Sequence, residues 1–229
     1  MFKDVITDVF FDLDHTLWDF DRNSALTFKK ILKENDVSVV LEDFLEVYVP
    51  INLEFWKLYR EEKISKAQLR YQRLKNTFDK VGASVSDEII HVLADDYIAH
   101  LSSFTHLFPN TVEILEYLVP NYNLHIITNG FQEIQDKKLV ESNINKYFDQ
   151  VINSEMAGVK KPNPYIFELA LQKAKVAPKN SLMIGDNLEA DIMGARAVGM
   201  ESIHFNAHSE PEHDLCLMIS DLIEIKSFL

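Results

Sequence analysis

The chain has 229 residues, 47% of them hydrophobic and 26% charged, and a formal net charge of −13. That length suits one large domain or a core with a smaller second domain, and the composition excludes a disordered chain. So acidic a chain repels nucleic-acid backbones and anionic membranes, whereas a small phosphate ester responds to the local field of a pocket and is not excluded.

The opening Met1-Phe2-Lys3-Asp4 lacks the basic and apolar stretches of a signal peptide. No apolar run approaches the ~20 residues of a membrane span. A single cysteine, Cys216, allows no intramolecular disulfide, and its apolar surroundings read as core. The expectation is a cytoplasmic monomer with neither membrane nor nucleic-acid partner.

Residues 5–12 form a β-branched and aromatic run ending in Asp12, as a buried parallel strand does. From about residue 16 to 105 helical periodicity replaces strand signals. Helices are expected over 23–35 and 41–61, with Pro50 kinking or breaking the second. A Ser65/Gln68 capping box opens a third that runs to about Lys80, and Ser86 precedes a fourth over 87–102. Phe55, Trp56, Tyr59 and Tyr71 read as the core of this bundle.

From Pro109 helix and strand alternate. Helices are expected over 111–118, 131–142, 164–175 and 188–198. Strands are expected over 124–128, 150–152, 181–184, 202–205 and 215–219, with a short helix after Asp221. Alternation of this kind builds βαβ units, so the fold class is α/β: a doubly wound parallel sheet, Rossmann-like, with an inserted helical-bundle cap. The expected domains are residues 1–15 and 106–229 as core and 16–105 as cap.

Doubly wound sheets bind ligands outside the carboxyl ends of their strands. Those ends carry Asp12-Leu13-Asp14, Thr128-Asn129-Gly130, Lys160-Lys161-Pro162, and Gly185-Asp186 with Asp191 five residues on. Several acids, a hydroxyl and a lysine on one rim suit Mg²⁺ and a phosphoryl group. No cysteine and no histidine pair adjoins these ends in the sequence, so zinc is not supported. After His204, at the end of the expected strand 202–205, Asn206, Ser209 and Pro211 mark a loop that carries His208 and His213, and helical spacing for a metal is not met.

Phe-Phe-Asp-Leu-Asp-His-Thr-Leu, Ile-Ile-Thr-Asn-Gly, Lys-Lys-Pro-Asn-Pro-Tyr-Ile-Phe and Ile-Gly-Asp-Asn-Leu-Glu-Ala-Asp-Ile resemble the four ordered motifs of the haloacid dehalogenase-like superfamily. The resemblance covers nearly the whole chain. It implies Asp12 as nucleophile and metal ligand, and Asp14 as general acid/base with a backbone carbonyl on the metal. Thr128 and the Asn129 amide would bind the phosphoryl oxygens, and Lys161 would bridge nucleophile and phosphoryl group. Asp186 would be the third protein ligand of Mg²⁺, with Asp191 in support. The dehalogenase branch generally lacks an acid at the place of Asp14, which favours phosphoryl chemistry. The tracts Asp14–Ser24 and Thr128–Glu133 resemble the pyrimidine 5′-nucleotidase branch, implying small nucleoside monophosphates as substrates. A sugar-phosphate phosphatase and a phosphomutase share the same machinery, and a non-catalytic binding module is disfavoured by the intact motifs. Trp18 and Phe20 are open to two roles, stacking on a base or packing against protein.

Overall fold

The structure, a computed structural model, describes residues 2–229. In chain order its elements are β1 (Asp8–Phe11), α1 (Phe20–Glu34), α2 (Leu41–Arg60), α3 (Lys66–Lys80), α4 (Asp87–His100), α5 (Thr111–Leu118), β2 (Asn123–Thr128) and α6 (Gln132–Glu141). Then follow β3 (Gln150–Asn153), α7 (Ser154–Ala157), α8 (Pro164–Ala174), β4 (Ser181–Gly185), α9 (Gly194–Ala197), β5 (Glu201–Phe205) and β6 (Leu217–Ile219). The chain divides into two compact units, Met1–Phe20 with Thr105–Leu229, and Asp21–Phe104.

The first unit holds a six-stranded sheet of order β3-β2-β1-β4-β5-β6, every neighbouring pair parallel. β1, β2 and β4 are almost wholly buried, which is why their sequences read as continuous apolar runs. Successive side chains alternate between the faces. Phe10, Ile127, Ile152 and Met183 pack with Ile166, Phe167 and Ala170 of α8 and with Ala195 of α9. Each of the fully buried Ile, Phe and Met side chains contributes about 1.5–3 kcal/mol of transfer free energy. The chain lays β2 and β3 on one side of β1, and β4, β5 and β6 on the other. The reversal of strand order thus falls between β1 and β4, where a doubly wound sheet opens a crevice at its carboxyl edge.

The second unit is the bundle of α1–α4. Its core is aromatic: Phe28 packs on Phe44, Tyr48 and Tyr97 with ring centroids 4.5–4.9 Å apart, and Phe44 on Phe78 at 5.1 Å. Arg73 is buried among these rings, 4.9 Å from the Tyr97 centroid, and donates to Asn52 Oδ1 at 2.8 Å. Of the aromatics expected in this core only Phe55 is fully buried. Trp56, Tyr59 and Tyr71 are half-buried, because the stripe that faces inward runs through Phe44, Tyr48, Ile51 and Phe55. The Ser65/Gln68 capping box forms as expected, with Ser65 Oγ accepting from Gln68 N at 3.2 Å and Gln68 Oε1 from Ser65 N at 2.8 Å.

Three expectations are corrected. Pro50 does not break α2, which continues to Arg60: the proline sits on the exposed side of the helix, where water can solvate the carbonyl left unbonded one turn earlier. The helix expected over 188–198 begins instead as a π-helical stretch, Leu188–Met193, in which Asn187 O accepts from Asp191 N at 2.9 Å and Ile192 N at 3.3 Å. Cys216 is half-buried rather than core, since the last strand starts at Leu217. Among the described residues no helix is long and apolar enough to cross a membrane.

Candidate active site

Asp12 lies one residue beyond β1, and its amide donates to Ile184 O of β4 at 2.9 Å, so it continues the strand to the sheet's edge. Asp186 follows β4 directly. Asp191 comes from the π-helical turn and is fully buried, its Oδ2 accepting from Asn187 N at 3.0 Å. One carboxylate oxygen from each of these three acids lies within 4.8 Å of the others. Thr16 Oγ1, buried below the loop after β1, reaches Asp186 Oδ1 at 3.4 Å.

Lys161 is brought to the same point by the loop between α7 and α8. The Asn129 side chain fixes its backbone by donating to Lys161 O at 3.0 Å and accepting from Lys161 N at 2.7 Å. Its ammonium, almost wholly buried, lies 2.8 Å from Asp12 Oδ1 and 2.6 Å from Asp191 Oδ1, and donates to Ile127 O at 2.7 Å. Three oxygens thus surround the ammonium, Ile127 O as hydrogen-bond acceptor and the two carboxylates as ion-pair partners. Burial alone would lower its proton affinity, but Asp12 and Asp191 outweigh that and hold Lys161 above the ordinary lysine range.

Three carboxylates and one ammonium leave two negative charges in a largely buried cluster. The cost shows in the proton affinities. Burial pushes the Asp12 carboxyl up to about 7, opposed by Lys161 and assisted by Asp191 and Asp14. Burial, then Asp191 and Asp12, raise Asp186 well above the carboxylate range. An all-oxygen donor set short of two positive charges fits a small hard divalent cation such as Mg²⁺, which takes ligands at about 2.0–2.1 Å.

A second group of residues surrounds Asp14. Its carboxylate faces away from the acid cluster: Lys138 Nζ donates to Oδ1 at 2.5 Å and Gln135 Nε2 to Oδ2 at 3.1 Å. The same Gln135 nitrogen donates to Thr128 Oγ1 at 2.7 Å, and Gly130 N donates there at 3.2 Å. With both lone pairs of Oγ1 filled, the Thr128 hydroxyl has its proton left to donate. Gly130 is required because Gln135 folds back over it, so a β-carbon there would overlap the Gln135 side chain. Lys138 is 2% exposed and sits 4.3 Å over the Trp18 ring and 5.3 Å from the Phe20 ring. Burial lowers its proton affinity against the pull of Asp14. Trp18 is fully buried in this contact, which leaves its ring packed on protein rather than open as a stacking platform.

Asp12, Asp14, Thr128, Asn129, Lys161, Asp186 and Asp191, read from the sequence as one rim, thus meet at the carboxyl edge. Gln135, Lys138 and Thr16 were not read from it. Two polar residues three apart on α6, just past Thr128-Asn129-Gly130, were the available signal for the first two. The absence of histidine pairs at the strand ends is corrected by the fold. His204 of β5 is buried with Nε2 2.7 Å from Asp186 O and Nδ1 2.9 Å from His213 Nε2, and His15 Nδ1 lies 3.2 Å from His208 Nε2. His15 and His208 are 193 residues apart, which no spacing could show, while His204 and His213 are nine apart.

A sequence model of the family described as haloacid dehalogenase-like hydrolase matches residues 8–199. The chain is 34% identical over 205 residues to the pyrimidine 5′-nucleotidase PynA of Streptococcus pneumoniae, covering 89% of this chain and 85% of the relative. It is 31% identical over 207 residues to the pyrimidine 5′-nucleotidase YjjG of Escherichia coli, covering 89% and 88%. It is also 31% identical over 232 residues to a glyceraldehyde 3-phosphate phosphatase of Methanothermobacter thermautotrophicus, covering 96% and 98%. Among solved structures, the magnesium-bound HAD-hydrolase YfnB of Bacillus subtilis matches with a TM-score of 0.88 at 23% identity, over 97% of this chain and 98% of that one, a likeness of fold.

Proposed function

The chain belongs to the haloacid dehalogenase-like hydrolase family, and on that premise we propose that it is a Mg²⁺-dependent phosphomonoesterase acting through an aspartyl-phosphate, with pyrimidine nucleoside 5′-monophosphates as substrates. The observation that carries the chemistry is the pairing of two acids two residues apart in opposite settings. Asp12 faces Lys161 and the acid cluster, while Asp14 is held on the other side by Lys138 and Gln135. Environments that separate neighbouring carboxylates in this way assign them different roles.

Asp12 attacks phosphorus through a carboxylate oxygen, and the bond from phosphorus to the ester oxygen breaks in line. Asp14 gives its proton to the departing alcohol oxygen. It then takes a proton from water, whose oxygen attacks the phosphorus of the aspartyl-phosphate, releasing inorganic phosphate and restoring Asp12. Thr128 donates its free hydroxyl proton to a phosphoryl oxygen, and the Asn129 amide serves beside it, the Asn129 side chain being committed to Lys161. Lys161 acts mainly by its charge, since its three donors already have neighbours and a bond to substrate requires exchanging one. Asp12, the Asp14 carbonyl and Asp186 would hold Mg²⁺, which would supply two positive charges to offset the phosphoryl group's own negative charge. Asp191 holds Lys161 in place.

The substrate assignment is supported by the relatives at 34% and 31% identity that are named pyrimidine 5′-nucleotidases. The phosphatase relative that acts on glyceraldehyde 3-phosphate favours a second reading, a sugar-phosphate phosphatase with the same residues in the same roles. Phosphate release in Mg²⁺ across a panel of nucleoside monophosphates and sugar phosphates separates the two. Preference for dUMP, dTMP or UMP supports the first reading, and preference for a triose or sugar phosphate replaces it with the second.

A further inference from the structure

Lys138 places its ammonium in an almost wholly buried position beside Asp14. Its ammonium is removed from water by Trp18 and Phe20, and its ion-pair partner is the Asp14 carboxylate. A buried ammonium of this kind costs more in desolvation than an apolar side chain of the same volume. Three residues earlier on α6, Gln135 takes the other oxygen of Asp14. Two donors from one helix face therefore grip the two oxygens of one carboxylate, which fixes its plane as well as its place. The Gln135 amide turns Nε2 toward Asp14, whose Oδ2 accepts from it. That choice leaves Gln135 Oε1 buried without a partner, a cost of about 1–3 kcal/mol that folding alone does not explain. The same Nε2 holds Thr128 Oγ1. Asp14 and Thr128 are in this way tied to each other at a set separation, through a helix that follows β2 by three residues.

We propose that Lys138 and Gln135 are positioning residues which hold the Asp14 carboxyl aimed at the leaving-group oxygen, in register with the Thr128 hydroxyl. The proposal rests on the reading of Asp14 as general acid/base. Two of the four lone-pair sites of the carboxylate accept from Lys138 and Gln135, and the others stay open for the proton it relays. A carboxyl free to rotate loses alignment with the leaving oxygen, and misalignment at this scale removes much of the benefit of proton transfer.

The role separates from a merely structural ion pair by its dependence on the leaving group. A nucleoside 5′-oxygen must be protonated as it departs, whereas p-nitrophenolate leaves without a proton. Lys138→Met and Gln135→Met keep side-chain volume and remove the grip. Lys138→Met is expected to lower kcat/KM on dUMP, which reports the phosphorylation step alone, by roughly 10²-fold, the lower end of what general acid catalysis supplies, with at most about a tenth of that loss on p-nitrophenyl phosphate. Gln135→Met also releases Thr128 and is expected to lose on both esters, more on dUMP. Lys138→Arg, which keeps the charge, is expected to recover part of the dUMP rate. Should Lys138→Met fail to fold, Gln135→Met carries the test alone. Equal losses on the two esters, or no loss, overturn the proposal. Asp14→Asn serves as the reference: if it also lacks leaving-group discrimination, the general-acid reading itself has failed, and the positioning role falls with it.

Discussion

The carboxylate of Asp191 packs against the α-carbon of Gly185, so closely that a β-carbon there would overlap its Oδ2 and Cγ. Gly185 ends β4 in register with His204 of β5, and Asp191 reaches back to it from the π-helical turn to meet Lys161 at 2.6 Å. Gly185→Ala forces Asp191 out of this place and leaves Lys161 with one carboxylate fewer. The expected outcome is a loss of at least about tenfold in kcat/KM with a destabilisation of about 1–3 kcal/mol, the usual cost of overpacking. Steady-state kinetics and urea unfolding of the same variant measure both.

Metal binding should be coupled to proton release. The Asp12 carboxyl, at about 7 in the metal-free fold, stands above its ordinary 3.8, and Asp186 shifts the same way. The folded state therefore holds protons that the unfolded chain has lost, and this contribution to stability is present at low pH and disappears as pH rises through about 4 to 7. A cation displaces those protons. Mg²⁺ affinity should rise between about pH 6 and pH 8, and calorimetry in buffers of different ionisation enthalpy should register protons released. A pH-independent affinity with no proton release would contradict the charge balance described above.

Pro50 sits mid-helix on the exposed side of α2. Alanine there restores an amide donor and removes the ring's clash with the preceding turn. A proline inside a helix costs up to about 3 kcal/mol relative to alanine, so Pro50→Ala should raise the melting midpoint by several degrees and leave kcat unaltered. A lower midpoint would mean that the proline sets a bend the bundle depends on.

The sheet was legible because β1, β2 and β4 are buried on both faces and run into Asp12, Asn129-Gly130 and Gly185-Asp186, and because Pro164 opens α8 and Gly199 closes the helical turn before β5. The rim followed from the same strand ends, since in a parallel sheet every carboxyl end lies on one edge. What the sequence could not show is which groups turn inward on α6. Gln135 and Lys138 lie among Asp136, Lys137 and Glu141, and composition alone reads that helix as solvated; only packing against Trp18 and Asp14 buries the two. The π-helical turn was hidden for a similar reason: Leu188–Val198 has ordinary helical composition, and the extra residue per turn is held by Asn187 and by Asp191 reaching back. Of the bundle aromatics, Phe44, Tyr48 and Phe55 follow the three- and four-residue spacing of α2 into the core, whereas Trp56 and Tyr59, read with Phe55 as core, stay half-buried beside that stripe.

The central claim is that Asp12 is the nucleophile of a Mg²⁺-dependent phosphomonoesterase. It is tested most directly by phosphate release from dUMP in Mg²⁺, by the natural chain and by Asp12→Asn side by side. Steady turnover by the natural chain and a loss of at least about 10³-fold in the variant are expected, since removing a nucleophile abolishes the covalent route. Full turnover by Asp12→Asn would contradict the account of the site, and no release by the natural chain from any phosphate monoester of the panel would contradict the function itself.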